Sequence, residues 1–426
     1  MDETYPDTWY AVVTELPNAR DPLTKNIEAD VCVVGGGLAG LVTAHELNRE
    51  GLRVVVLEAN RVAWGASGRN AGFVASGFAQ SHSALVRRCG HEHAARLHAY
   101  SQLGVEFVRS FIQSHDPAIK MGDGLLEVTR HSDKSISSES IALESRRLNE
   151  QWCYSSREHL QNSLRTERYR GGIKDPNGFH INPLLYALTL AAACESRGVE
   201  IFECSRATQL KQTGAHWACE TETGRVECEH VVLCTSAYDN DLFRPVTRAV
   251  LPVGTHIVVS EPITDSLLPI QTMAGISDSR RAGDYYRLVD TNRLLWGGKI
   301  TTSQKPPRDL DAQVKRAILD VYPQLDTIKI TQRWSGLMGY AIHKMPIVGE
   351  IRSGVWAATA FGGHGLNTTA MGGILIASGI ARGDTRWRDF SRFKSLPINN
   401  PIGRMGIQLS YWGMQIRDWW DEKRST

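Results

Sequence analysis

Residues 30–72 read DVCVVGGGLAGLVTAHELNREGLRVVVLEANRVAWGASGRNAG. The β-branched run DVCVVGG ends in glycine, the pattern of a strand buried on both faces of a parallel sheet. Leu38, Leu41, Val42 and Leu47 then recur at helical spacing until Gly51 stops them, and RVVVLEA supplies a second buried strand. Together they make one βαβ unit. Gly35, Gly37 and Gly40 form G-x-G-x-x-G where the first strand meets the helix, and Glu58 closes the second strand eighteen residues past Gly40. The first glycine permits the tight turn, the second admits a pyrophosphate to the backbone, and the third lets helix lie on strand. The helix start, with Leu38 and Ala39, offers the positive end of its dipole. Glu58 is placed to accept hydrogen bonds from ribose hydroxyls, and its charge argues against a 2′-phosphate. A glycine turn that binds nothing needs none of the other three features, so the stretch predicts a dinucleotide site.

The rest of the chain is compatible with that. At 426 residues it has room for two or three units and a large core. The net charge of +2 gives no basic footprint for nucleic acid. The eight cysteines contain no CxxC pair and no Cys/His zinc spacing, so no metal is expected. Their scatter, the lack of a basic-then-apolar leader and the absence of an 18-residue apolar run suggest a cytoplasmic protein.

Beyond residue 80 the pattern changes. Residues 80–165 read as mainly helical with a short strand at GLLEVT. Asn182 and Pro183 open a helix as N-cap and first helical residue. Short alternating runs between 199 and 300 read as strands, GVWAATAFGGHG as a strand entering a glycine turn, and LNTTAMGGILIASGIARG as a helix. The expected fold is α/β: a doubly wound FAD-binding unit (1–80, 166–245, 331–385), an antiparallel-sheet substrate unit (81–165, 246–330) and a tail helix (386–426).

The residues just after Glu58 decide the cofactor. ANRVAWGASGRNAG offers small residues, an arginine and an asparagine where a nicotinamide enzyme would proceed to its third strand, and such a loop suits a large planar ring. With HVVLCTSAY, the YYR and RLLWGGK strands, W-S-G-x-M-G-Y…MPIVG and AATAFGGHGLNTTAMGGILIA, it resembles the FAD-dependent oxidoreductases of the D-amino-acid oxidase superfamily over roughly residues 28–390. GASGRNAG and FGGHGLN resemble most the bacterial γ-glutamylputrescine oxidoreductase subgroup. That resemblance implies FAD contacts from Gly35, Gly37, Leu38, Ala39, Gly40, Glu58, Ala59 and Arg61. It implies that Gly65, Ala66, Ser67, Arg69, Asn70, Ala71 and Gly72 line the isoalloxazine. Ala207 and Thr208 would cover the adenine, and Cys234, Thr235 and Ser236 the pyrophosphate. Gly336 lies in the W-S-G segment. Gly362, Gly363, His364, Gly365, Leu366 and Asn367 would open a helix beneath the flavin, favouring the anionic reduced ring. No histidine comes after Ser67 in the loop, so the FAD is expected to be noncovalent. An acid usual in the family is replaced by His343.

The resemblance also implies the chemistry: a C–N bond of an amine or amino acid is oxidised, hydride passes to the flavin, and the imine hydrolyses. His256, Tyr286, Arg69 and Lys344 are the candidate catalytic residues, with Tyr285, Arg287 and His343 beside them. Each has a plainer reading. His256 on a strand can be a core histidine, Tyr285 and Tyr286 face opposite ways, Arg287 suits an ion pair and Lys344 a solvated position. His91, His93 and His98 read as surface residues. No second G-x-G-x-x-G supplies a nicotinamide site, so O2 or a quinone is the expected electron acceptor. The aromatic, basic tail is expected to pack on its own domain or a partner subunit, since an apolar stripe is usually core, with contact to a membrane surface as the alternative. A flavin dehydrogenase for an N-alkyl or cyclic amino acid that passes electrons to quinone is the rival among enzymes, and a flavin-binding subunit without chemistry is the rival from another class.

Overall fold

The computed structural model describes residues 4–131, 136–238, 241–281, 283–302 and 308–425. Its centre is a six-stranded sheet in the order Ile347–Arg352, Val355–Thr359, His230–Leu233, Val31–Val34, Val54–Leu57, Glu200–Phe202. All neighbours run parallel except the first pair. Val31–Val34 and Val54–Leu57 are buried at every position, as their unbroken apolar runs require. One face is covered by the helices Leu38–Arg49, Gly365–Arg382, His91–His115 and Pro183–Ser196, whose apolar residues form the main core with it. The other carries a four-stranded sheet that includes Gln209–Thr213, His216–Glu220 and Arg225–Cys228. Asn182 caps its helix as expected, its Oδ1 accepting the N–H groups of Leu184 and Leu185 at 3.1 Å.

The second unit is an eight-stranded mixed sheet. Its order is Ile330–Tyr340, Leu251–Ser260, Arg293–Thr301, Tyr285–Val289, Gly275–Asp278, Leu125–Thr129, Gly171–Asp175, Cys153–Ser156. One face packs on the helix Leu310–Val321 and the other looks toward the first unit. Three boundaries read from the sequence need correcting. Ile330–Tyr340 and Gly171–Asp175, assigned to the FAD-binding unit, belong to this sheet, because their backbone ladders run to Leu251–Ser260 and to Leu125–Thr129 and Cys153–Ser156. The helix His91–His115, assigned to the substrate unit, packs into the main core.

The tail helix spans Pro401–Ser425 rather than starting at 386, where a 3-10 segment, Arg386–Arg392, comes first. It is pinned to the second unit. Asp418 and Asp421 accept from Arg281 at 2.9 and 2.8 Å, Glu422 pairs with Arg168, and Gln408 accepts the Thr302 N–H at 3.0 Å. Ile402, Met405, Leu409, Trp412, Ile416, Trp419 and Trp420 are turned outward, each more than half exposed. Among the described residues no helix is long and apolar enough to cross a membrane, and no group of His, Cys, Asp or Glu is arranged to hold a metal ion.

Candidate functional site

The carboxyl ends of all five parallel strands open on one cavity of about 1230 Å³. Gly35 follows Val34, Glu58 follows Leu57, Arg206 and Ala207 follow Glu200–Phe202, Cys234 and Thr235 follow Leu233, and Phe361 and Gly362 follow Val355–Thr359. Ligands of open α/β sheets bind at this end. The volume exceeds the ~300–1,000 Å³ of an ordinary small-molecule pocket and suits a dinucleotide with a substrate beside it.

At the nucleotide end the chain makes a tight cradle. Gly35 has φ +114°, and a Cβ there would lie 2.8 Å from the Cys234 carbonyl. Glu58 accepts the Gly36 N–H at 2.7 Å and the Asn60 N–H at 2.9 Å. Burial pushes its carboxyl up from the ordinary range, and those two donors pull it back. Ser67 Oγ accepts the Leu38 N–H at 2.9 Å, tying the later loop to the helix start. Two buried polar atoms on the cavity wall, Thr235 Oγ1 and Trp64 Nε1, have no protein partner. Buried polar atoms are seldom left so, and a dinucleotide along this wall would meet both. The residues present therefore fit FAD.

Midway along the cavity, Gly65, Ala66, Ser67, Arg69, Asn70 and Ala71 face Gly336, Gly362, Gly363, His364, Gly365 and Leu366. Arg69 donates to the carbonyls of Trp64 at 2.8 Å and Ser335 at 3.2 Å, and its guanidinium lies over the Trp64 ring. Gly365 begins an 18-residue helix, so unpaired N–H groups point at this part of the cavity. Burial pushes the His364 imidazole down, which favours its neutral form.

The substrate end is floored by the eight-stranded sheet. Thr255, Tyr285, Ser277, Glu127, Ile173 and Asp175 line it, with Phe73, Leu125 and Trp152 beside them. Tyr285 is held by a 3.1 Å hydrogen bond between its hydroxyl and Thr255 Oγ1, and burial pushes its pKa up. Tyr340, above the glycine turn, is pushed up to about 12 by burial.

Several sequence-predicted residues lie elsewhere. Tyr286 faces the opposite side of the sheet from Tyr285. There it stacks on Trp296 at 4.3 Å and its hydroxyl meets those of Tyr169 and Tyr322 at 2.9 and 3.0 Å. His256 is buried behind Thr255, its Nδ1 2.7 Å from Ser335 Oγ, because Thr255 rather than His256 takes the cavity face. Lys344 is an exposed turn residue with φ +57°. Arg61 is spent on Glu203 at 2.7 Å and the Pro17 carbonyl at 2.8 Å. Thr208 is exposed and donates to the Glu220 carbonyl at 3.2 Å. Asn367 donates to the Gly77 carbonyl at 3.1 Å and Gly72 packs on Ile181, both off the cavity wall. Gly40 lies behind the cradle, where a Cβ would come within 1.9 Å of the Gly35 carbonyl. Arg287 binds the carbonyls of Ala71 and Ile181 and the Tyr10 hydroxyl. His343 is buried, accepts the Met345 N–H and is pushed down to about 4 by burial first and then by Arg88. His93 and His98, read as surface residues, are buried against the Asp389 carbonyl and the Glu150 carboxylate. Glu127 and Asp175 were missed because neither belongs to a motif, and Trp64 and Tyr238 were passed over although they lie within ANRVAWGASGRNAG and HVVLCTSAY.

A family model described as FAD dependent oxidoreductase matches residues 30–378. The γ-glutamylputrescine oxidoreductase of Escherichia coli is 31% identical over 397 residues, covering 92% of each chain. The glycine oxidase structure from Geobacillus kaustophilus superposes with a TM-score of 0.72 at 19% identity, over 87% of this chain and 99% of that one. The L-proline dehydrogenase structure from P. horikoshii gives 0.72 at 16% identity, over 87% and 100%.

Proposed function

From the premise that this chain belongs to the FAD-dependent oxidoreductases matched over residues 30–378, we propose that it oxidises the C–N bond of an amine, in the manner of a γ-glutamylputrescine oxidoreductase. The observation that carries this reading is one continuous cavity. It runs from the Gly35–Glu58 cradle, past the Gly362–Leu366 helix start, to a separate sheet that can hold a substrate. FAD, when bound, supplies the acceptor for a hydride from the carbon beside nitrogen.

The protein's own part is to bind, orient and exclude water. Gly35, Gly37, Leu38, Ala39, Glu58, Ala59 and Thr235 hold the nucleotide half. The 65–71 stretch, which presents no cysteine or histidine to the cavity, holds the ring noncovalently. The N–H groups at Gly365 and Leu366 would stabilise negative charge on a reduced ring. Arg69 is a positioning residue, since its guanidinium ties the 65–71 stretch to the Ser335 strand. Phe73, whose ring meets that of Tyr285, and Leu125 keep water from the reacting carbon, and Tyr285 and Thr255 orient the amine. The imine product leaves and hydrolyses to a carbonyl compound. Trapping that carbonyl with a hydrazine reagent after incubation with amines and amino acids tests the reading. A trapped product from an amine supports it, and none from any compound overturns it.

The tail favours a second element of the reading, transfer of electrons to a membrane quinone. Its acids are turned inward into ion pairs, leaving an apolar stripe with Lys423 and Arg424 over Trp419 and Trp420. An amphipathic helix of this kind beds into a lipid surface. Co-sedimentation with anionic vesicles, lost in an Ile416→Glu/Trp419→Glu variant, is the expected result. Equal sedimentation of both forms would contradict it.

A further inference from the structure

We propose that the arginine-lined hollow beside the end of the tail helix holds the phosphate of an anionic lipid headgroup. This rests on the membrane-docking reading of the tail and names the lipid chemistry that the same surface selects.

The hollow measures about 320 Å³, at the small end of the ~300–1,000 Å³ of ligand pockets, and shares no lining residue with the flavin cavity. The segment that follows the helix Arg157–Leu164 forms one wall, with Arg165, Arg168 and Arg170. The turn that ends Leu310–Val321, with Gln324, forms another. Arg165 closes its helix at φ +45°, a left-handed position that most often goes to glycine. Its guanidinium reaches the Leu268 carbonyl at 3.4 Å and no closer acceptor among the described residues.

Acids line the hollow too, but each already has its cation. Glu167 pairs with Arg157 at 3.0 Å, Asp320 with Arg130 and Arg168, and Glu422 with Arg168 and Arg280. Arg165 and Arg170 are left over, since among the described residues no acid pairs with either. Two guanidiniums without counter-ions on one small hollow suit an oxyanion, because each offers a planar fork of N–H donors that matches two phosphate oxygens. What adjoins the hollow assigns that phosphate to a lipid. Glu422, on its wall, stands in the last turn of the tail helix. Lys423 and Arg424 beside it lie over the exposed rings of Trp419 and Trp420, at 4.1 and 5.9 Å. Tryptophans with basic neighbours settle where headgroups meet acyl chains. A helix lying in that plane brings its flank, and the hollow with it, to the level of the phosphates.

The test reads partition into vesicles of phosphatidylcholine alone and of phosphatidylcholine mixed equally with phosphatidylglycerol. It compares wild type with Arg165→Gln/Arg170→Gln and Arg165→Lys/Arg170→Lys. Both arginines lie outside the flavin cavity, so flavin content stays at the wild-type level and checks the fold. On the anionic vesicles the glutamine variant should bind roughly 10- to 30-fold more weakly than wild type, the effect of two basic residues at such a surface. On neutral vesicles the two should bind alike. The lysine variant keeps the charge without the fork and should fall between them. Equal loss on both vesicles, no loss on the anionic ones, or a lysine variant equal to wild type overturns the proposal. If wild type binds neither vesicle, the tail reading fails. Glycerophosphoglycerol, the headgroup without its chains, still decides the hollow, because tighter binding to wild type than to the glutamine variant supports it and equal binding overturns it. Inorganic phosphate binding as tightly as that headgroup would assign the hollow to a soluble anion and overturn the lipid assignment.

Discussion

Glu58→Gln separates two jobs that one carboxylate performs. In the protein alone, its two oxygens accept the Gly36 and Asn60 N–H groups at 2.7 and 2.9 Å, splinting the glycine loop to the end of the second strand. A glutamine keeps one accepting oxygen and turns an NH2 group toward the other donor. Leaving one buried donor unsatisfied costs about 1–3 kcal/mol, and this cost falls on the apoprotein and the FAD-bound protein alike. It therefore lowers stability without weakening FAD binding. The affinity loss comes from ribose hydroxyls that exchange a charged acceptor for a neutral one, a difference of about 1–1.5 kcal/mol, or roughly 5- to 13-fold in Kd. Apoprotein titrated with FAD, followed by flavin fluorescence, reads the second quantity, and urea unfolding of the apoprotein reads the first. Lowered stability with an unchanged Kd would refute the ribose role and leave Glu58 as a loop splint alone.

Arg61→Met removes one of the two arginines paired with buried Glu203, and with Arg20 still in place it should cost about 1–3 kcal/mol in urea unfolding, while FAD affinity of the folded fraction stays at the wild-type value. Tyr286→Phe removes the hydroxyl shared by Tyr169 and Tyr322. About 1–3 kcal/mol of stability should be lost with kcat unaltered, and a fall in kcat with full stability would restore Tyr286 to the site. The His180 ring donates to the Met273 carbonyl at 2.7 Å and accepts from Arg287 at 3.2 Å, and burial, aided by the Arg287 charge, pushes it down to about 3. Its unfolded form takes up a proton near pH 6.5, so its contribution is full above that pH and drains away as the pH falls toward 3. Unfolding followed from about pH 7 to pH 5 should show a shallower decline in His180→Gln than in wild type.

The nucleotide end was legible because its signal is local. Gly35, Gly37, Gly40 and Glu58 lie within one βαβ unit, and the glycine turn at 362–365 likewise sits between its own strand and helix. The substrate end was not, because strand alternation tells that neighbours face opposite ways without telling which face is the cavity. For Tyr285 and Tyr286 the answer lies in pairing: Tyr285 sits opposite Gly297, where a Cβ would come within 2.0 Å of its ring. For Thr255 and His256 it lies in pairing with Gly336 and Ser335, some eighty residues on. Arg61 was read from its closeness to the fingerprint, but its partner Glu203 is 142 residues away and carries no pattern. The division into units failed at Ile330–Tyr340 for the same reason.

The proposed activity requires that a substrate amine reduce FAD bound in this cavity. The most direct test is anaerobic mixing of the purified flavoprotein with single amines, monitored at the oxidised-flavin absorbance band. Bleaching by at least one amine, fast enough to match turnover, is the predicted result. A flavoprotein that keeps its full oxidised absorbance with every amine offered would contradict it.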